Sequence, residues 1–173
     1  MSYAERIRAL HRELGIPPDY AATRGLALQV EATLLVAAGT TADGRELRLT
    51  PETWAAWQQL SAAAAGEGVP LQLLSGFRGV DRQTEIIQRK ISTGQRIDDI
   101  LRVNAAPGYS EHHTGRAVDI GTPGSTPLEE TFENTDAFRW LQRRAATFGF
   151  RLSYARGNSQ GIIYEPWHWF HHG

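Results

Sequence analysis

The chain has 173 residues with 41% hydrophobic positions, enough for one domain whose core stands without disulfides or partner subunits, so a monomer is the default expectation. Its 18 basic and 19 acidic residues leave a formal charge of −1, and the arginines alternate with acids along the chain, which argues against a nucleic-acid partner. The lack of cysteine excludes disulfides and thiolate metal sites, and no apolar run is long enough for a membrane span.

In chain order, residues 1–14 place Ile7, Leu10 and Leu14 on one face of a charged helix. This is not the apolar stretch and cleavage site of a secretory signal, so the expected location is the cytoplasm, or the periplasm or cell exterior if a signal has been removed. After a Pro17-Pro18 break, the runs Leu26 to Val30 and Thr33 to Ala38 read as strands or strand-like cover. Thr50-Pro51-Glu52 starts a helix, with a capping hydroxyl before a proline in the first turn, and Trp54, Trp57 and Leu60 form its inner face up to Gly66. Val69 to Ser75, between Gly68 and Gly76, predicts a buried strand with Phe77 and Arg78 at its end. Ile86, Ile87 and Ile91 predict a helix up to Gly94; Ile97, Ile100 and Leu101 predict a shorter one before the loop Asn104 to Tyr109. Ala117 to Ile120 reads as a strand ended by Gly121. Asn134 is the expected cap of a helix with Phe138, Leu141, Ala145 and Phe148 inward. Phe150 to Tyr154 and Ile162 to Trp169 then predict an antiparallel hairpin. The pattern is α+β: one domain over 1–173, a small antiparallel sheet flanked by helices, with 1–68 as N-terminal helical and strand cover and the chemistry-bearing motifs within 69–173.

Those motifs hold five of the six histidines. Ser110-Glu111-His112-His113-Thr114-Gly115-Arg116-Ala117-Val118-Asp119 is followed by Glu165-Pro166-Trp167-His168, with His171 and His172 close behind. A catalytic zinc takes three protein ligands from His and Asp/Glu and keeps a fourth position open, and His112, Asp119 and His168 supply such a set with Glu165 as a spare carboxylate. His112 and Asp119 are an odd number of residues apart, so on one strand they would point to opposite faces. His112 is therefore expected in the preceding loop, turned by Thr114-Gly115. Glu165 and His168 pose the same problem, and Pro166 marks the bulge that would re-aim one of them.

The two clusters resemble the zinc peptidases of the lysostaphin, D-Ala-D-Ala metallopeptidase and hedgehog-like group, in particular its D,D-carboxypeptidase and dipeptidase branch. The patterns Ser-x-His-x-x-Gly-x-Ala-x-Asp and Glu-x-Trp-His are filled by Ser110, His112, Gly115, Ala117 and Asp119, then by Glu165, Trp167 and His168. Ser75-Gly76-Phe77-Arg78, with Gln83 beyond it, matches an upstream motif of that branch. The resemblance implies one Zn2+ per chain on His112, Asp119 and His168, and Glu165 as the base that moves a proton from water to the leaving amine. It also implies that Arg78 polarises the scissile carbonyl or holds the substrate carboxylate. Ser75, Gln83, Tyr109, Ser110 and Trp167 are then expected around the terminal residue of a peptidoglycan peptide ending in D-Ala. His113 falls at a variable position and is expected at the rim, while Phe170, His171 and His172 depart from the family's usual ending.

Three rival readings carry different expectations. A stem-peptide endopeptidase needs a cleft open on both sides of the cut. A hedgehog-like binding module has no need of Glu165. A purely structural zinc needs a fourth protein ligand, for which His113 and His171 are the nearby candidates.

Overall fold

The computed structural model describes residues 1–173. The chain runs α1 (Tyr3–Leu14), α2 (Tyr20–Arg24), β1 (Val36–Thr40), β2 (Glu46–Leu49), α3 (Pro51–Gly66), β3 (Gln72–Ser75), α4 (Val80–Ser92) and α5 (Ile97–Val103). A 3-10 turn at Glu111–Thr114 leads into β4 (Ala117–Gly121), a second lies at Glu130–Asn134, and α6 (Asp136–Arg144), β5 (Phe150–Leu152) and β6 (His168–His171) complete the chain. The expected α+β class holds. β1 and β2 form a small antiparallel ribbon, and the main sheet has the order β3-β4-β6-β5 with every neighbouring pair antiparallel.

All five residues of β4 are buried, because the strand is central in the sheet and covered on both faces. One face supports the larger core, where Val118, Ile120, Phe150 and Trp169 meet Trp57 and Leu60 of α3 and Phe138, Trp140 and Leu141 of α6. A smaller core joins Leu14, Ile16 and Tyr20 to Ile87 of α4 and Ile100 and Leu101 of α5. Ser2 and Glu5 form a reciprocal cap on α1, and α3 starts as its sequence predicts, with the Thr50 hydroxyl accepting the Thr53 amide. No helix is long and apolar enough to cross a membrane.

Several expectations are corrected. Leu26 to Val30 is not a strand. Its neighbourhood is irregular backbone whose amides bond to distant carbonyls, Gln29 to Gly108 and Ala32 to His113. Of the second run, only Val36 onward pairs, and its partner β2 went unread although Glu46-Leu47-Arg48-Leu49 alternates between exposed and buried positions. β3 is a half-buried edge strand of four residues rather than a buried one of seven. α6 is capped by Thr135, whose hydroxyl accepts the Phe138 amide, and not by Asn134. The last strand starts at His168 rather than Ile162. The Ile163 amide bonds to the Arg102 carbonyl and the Glu165 amide to the Tyr154 carbonyl, so this stretch is spent on loop contacts before the ladder begins.

Gly76 joins the two sheets. A Cβ placed there would lie 2.6 Å from the Arg48 carbonyl oxygen of β2, so the ribbon can approach the end of β3 this closely only at a glycine. Gly76→Ala is expected to destabilise the protein by about 1–3 kcal/mol, read as a lower urea midpoint with an unchanged slope. An unaltered midpoint would show that the ribbon moves away without cost.

Candidate active site

The candidate site is assembled by three neighbouring segments of the main sheet. Asp119 of β4 lies directly across from His168 of β6 and from Ser75 of β3, and residues opposed across antiparallel strands present their side chains on one face. His112 reaches the same place from the 3-10 turn, which Gly115 ends in a left-handed conformation (φ 65°). The expected position of His112, ahead of the strand and turned back by Thr114-Gly115, is what the structure has. Glu165 also joins the group. A turn closed by the His168 amide on the Glu165 carbonyl (3.1 Å) lets residues three apart face one point.

His112, Asp119 and His168 each offer a donor atom, and these atoms all lie within 4.8 Å of one another. Each imidazole is held by an acceptor on its far side. His112 Nδ1 donates to the Gly76 carbonyl (2.7 Å), which leaves Nε2 facing Asp119 Oδ2 at 3.3 Å. His168 Nε2 donates to Glu111 Oε2 (2.8 Å), which leaves Nδ1 facing Asp119 Oδ1 at 3.2 Å. Two anchored imidazoles, each turning its other nitrogen toward a shared carboxylate, make an N,N,O set suited to zinc once His168 gives up its second proton, and outer acceptors of this kind fix the ligand tautomer. Glu165 Oε2 stands 3.8 Å from His168 Nδ1, beside the set.

The electrostatics follow from burial against pairing. Burial would raise the Asp119 pKa, but His112 and His168 hold it well below the usual carboxylate range. Burial alone would lower His168, yet its bonds to Asp119 and Glu111 push it up to about 10 in the metal-free protein. Burial lowers His112. Burial also dominates at Glu165 and raises it to about 7, where a carboxylate can both accept and return a proton near neutral pH.

These groups open into a hollow of about 780 Å³ also lined by Ser75, Arg78, Gln83, Ser110 and Trp167. Two buried polar atoms there have no partner, Arg78 Nε and Gln83 Oε1. Tyr109 is a correction. It does not line the hollow, and its ring packs instead against His11 (5.6 Å between centroids) and Tyr20 (5.8 Å) in the smaller core. His113 is not a rim residue: it is fully buried, with Nδ1 donating to the Arg78 carbonyl (2.6 Å) and Nε2 accepting the Gly108 amide (3.0 Å). Both nitrogens are thus engaged. His171 has strand parity opposite to His168 and lies 3.1 Å from the Thr53 hydroxyl. Neither supplies the fourth ligand that a structural zinc would need.

Two residues of the site escaped the sequence reading. Glu111 is the acceptor for His168 and also receives the Ser153 hydroxyl (2.6 Å). The only signal was a carboxylate beside a candidate ligand. Tyr154 is buried with its ring 4.8 Å from that of His168, and nothing in its sequence surroundings marks it.

The VanY family of D-alanyl-D-alanine carboxypeptidases matches residues 46–173, most of the chain. The chain belongs to that family. Its similar relatives include the putative carboxypeptidase YodJ of Bacillus subtilis, 39% identical over 111 residues, which are 61% of this chain and 40% of that protein. The D-alanyl-D-alanine carboxypeptidase of Enterococcus faecalis is 31% identical over 134 residues, 72% of this chain and 47% of that protein. The chain therefore spans about half the length, or less, of these curated relatives. Among solved structures, the LdcB LD-carboxypeptidase aligns with a TM-score of 0.75 at 30% identity, covering 84% of this chain and 71% of that one. A VanY D,D-pentapeptidase variant in complex with Zn(II) aligns at 0.63 and 30% identity, covering 84% and 80%.

Glu111→Ala frees His168 to rotate and to take the other tautomer. It is expected to weaken zinc binding by about 10- to 100-fold while the thermal transition stays cooperative, which competition against a chromophoric chelator measures. An unchanged affinity would deny Glu111 its orienting role.

The same site makes a prediction for the chelated protein. Folding raises His168 from 6.5 to about 10, and a group whose pKa folding raises contributes stability that is complete below the unfolded value and lost as pH climbs through the folded one. Glu165, raised from 4.5 to about 7, acts in the same direction at lower pH. The melting temperature of the chelated protein is thus expected to fall as pH rises from about 7 to about 9.5; a rise over that range would contradict the assignment.

Proposed function

We propose that this protein is a zinc-dependent carboxypeptidase that removes a terminal D-Ala from peptidoglycan peptides. The observation that carries the reading is Glu165, a buried carboxylate raised to about 7 beside a three-donor His/Asp/His set, within a chain of the VanY family. His112 Nε2, one Asp119 oxygen and His168 Nδ1 would hold the metal. When bound, zinc supplies Lewis acidity at a carbonyl and brings the deprotonation of water toward neutral pH.

The residues of this chain do the rest. Glu165 takes the proton of the attacking water and returns it to the nitrogen of the departing D-Ala, which a carboxyl near neutral pKa does in both directions. The Arg78 guanidinium, with Nε unspent, meets charge that develops on the carbonyl oxygen or already sits on the terminal carboxylate. Ser110 lines the same hollow, and Gln83 keeps its carboxamide oxygen free while its NH2 is fixed on the Ala105 carbonyl (2.7 Å). Trp167 and Ser75 complete the walls. Related structures support both substrate types: VanYB is solved in complex with D-alanine-D-alanine, and LdcB is an LD-carboxypeptidase. The substrate class is therefore a peptide ending in D-Ala, cut as a D,D or an L,D bond.

The test is mass spectrometry of pentapeptide and tetrapeptide muropeptides with the zinc-loaded protein, alongside the same peptides as C-terminal amides. Loss of one terminal alanine from the acids and little from the amides is expected, as is a drop of about 10²- to 10⁴-fold for Glu165→Ala with zinc retained. Equal cleavage of acid and amide would replace the carboxypeptidase with an endopeptidase, and full activity of Glu165→Ala would remove the assigned base.

A further inference from the structure

Asn104 and Ala105, in the loop between α5 and the 3-10 turn, line the hollow that holds the candidate site. The residues that follow them are held from behind by the first two helices. The Ala106 amide donates to the Tyr20 hydroxyl (3.1 Å), and His11 Nε2 donates to the Pro107 carbonyl (2.8 Å). Gly108 lies so close to Ile7 that a Cβ there would come within 2.7 Å of its side chain. Ile7, His11 and Tyr20 all precede residue 46, where the family match begins.

Tyr20 differs from the other two in what its bond reaches. The Ala105 carbonyl and the Ala106 N–H belong to one planar, trans peptide unit, in which they point in opposite directions. The Ala105 carbonyl accepts the Gln83 NH2 (2.7 Å). A single peptide plane therefore stands between the Tyr20 hydroxyl and the Gln83 carboxamide and is bonded to both. Gln83 is 1% exposed and lines the hollow, and with its NH2 spent on Ala105 it has only Oε1, which lacks a partner, to offer there. The two ends of a carboxamide are nearly equal in shape, so its partners decide which end is the oxygen. A rotated peptide plane would let Gln83 turn over and offer NH2 instead. Rotation costs the Tyr20 bond, and Tyr20 cannot follow. Its ring is 3% exposed, wedged among His11 (6.1 Å between centroids), Tyr109 (5.8 Å) and the Arg24 guanidinium (4.6 Å from the ring centre). Arg24 is itself tied to the Leu101 carbonyl at the end of α5 (2.7 Å).

We propose that Tyr20 is a positioning residue for substrate: through the 105–106 peptide unit it fixes Gln83 with its oxygen toward the hollow, so that the site takes a ligand that donates an N–H at this point. A backbone amide of a bound peptide has that chemistry. This inference rests on the carboxypeptidase reading for what the ligand is, but positioning is a matter of binding and is read without turnover. The three hydrogen bonds, from substrate to Gln83, Gln83 to Ala105 and Ala106 to Tyr20, run in series, and each polarises the next. A buried acceptor that meets no donor costs more than a made bond contributes, so the direction of the carboxamide is read as affinity.

The experiment is a double-mutant cycle on Tyr20→Phe and Gln83→Ala in the zinc-loaded protein. The ligand is a peptide ending in D-Ala whose last amide is reduced to a secondary amine, so that it binds uncut, and affinity is measured by calorimetry. Gln83→Ala is expected to weaken binding about tenfold and Tyr20→Phe about three- to tenfold. The double variant should be within about twofold of Gln83→Ala alone, because without the carboxamide Tyr20 has nothing to position. Cleavable peptides should show the same pattern in KM, with kcat of Tyr20→Phe within about twofold of wild type. Leu60→Val, which loosens the larger core instead, should leave affinity unchanged and so separates lost position from lost stability. A second measurement needs no change at Tyr20. In wild type, binding of the peptide should move the Ala106 amide proton resonance downfield, and in Gln83→Ala that shift should vanish. Additive losses in the cycle, or an Ala106 proton indifferent to the ligand, would overturn the positioning role. Hydrolysis without coupling would overturn Tyr20 and leave the carboxypeptidase standing. Coupled binding without hydrolysis would do the reverse.

Discussion

Two neighbouring imidazoles hold the backbone of residues 76 to 78 against the 3-10 turn. His112 Nδ1 donates to the Gly76 carbonyl and His113 Nδ1 to the Arg78 carbonyl, while the Arg78 amide returns a bond to the His112 carbonyl (3.1 Å). Because the Phe77 amide also bonds to the Arg48 carbonyl, the β1–β2 ribbon is tied to the same three residues. This clamp fixes which nitrogen of His112 faces Asp119, where the Arg78 side chain leaves the backbone and how the ribbon lies beside the hollow. Buried polar groups in such a cross-braced set lose much more when one partner goes than the net value of one hydrogen bond, since the remaining partners are left unsatisfied away from water.

The clamp also explains why His113 sits within a ligand motif without being a ligand. An imidazole with a carbonyl acceptor on one nitrogen and an amide donor on the other has its tautomer fixed and stays neutral; burial lowers its pKa to about 4. Its neighbour has one nitrogen spent and one free, and a free lone pair in a buried polar cluster is what a cation needs. Adjacent residues of one type therefore take a structural and a candidate chemical role according to how many of their nitrogens are already used.

Legibility in the sequence followed the physics of each element. Helices with strong start signals, such as Thr50-Pro51, and the central strand Ala117 to Gly121, apolar apart from Asp119 and closed by a glycine, could be read directly because local rules decide them. Short edge elements could not. β2 has four residues and β6 starts only after a turn whose amides go to Tyr154 and Glu165 carbonyls, so the boundary depends on partners that periodicity does not encode. The candidate metal set was readable as residue types at workable spacings. Glu111 and Tyr154 were not, because their part is defined by what they touch, and Tyr109 was misplaced because its motif position does not reveal that its ring turns to the smaller core.

The first part of the chain, mostly outside the family match, is fastened to the site at the level of backbone hydrogen bonds. Glu31 Oε1 accepts the Val80 amide (2.7 Å) and so caps α4, which has no side-chain cap of its own at Gly79. The amides of Gln29 and Ala32 bond to the carbonyls of Gly108, ahead of the 3-10 turn, and His113, within it, and Arg6 pairs with both Glu31 and Asp81. Homology and cooperativity therefore have different borders here. The segment that the family match leaves out is tied by hydrogen bonds to the unit that carries the candidate site, and exchanging it for another would require exchanging its hydrogen-bond partners in the matched region along with it.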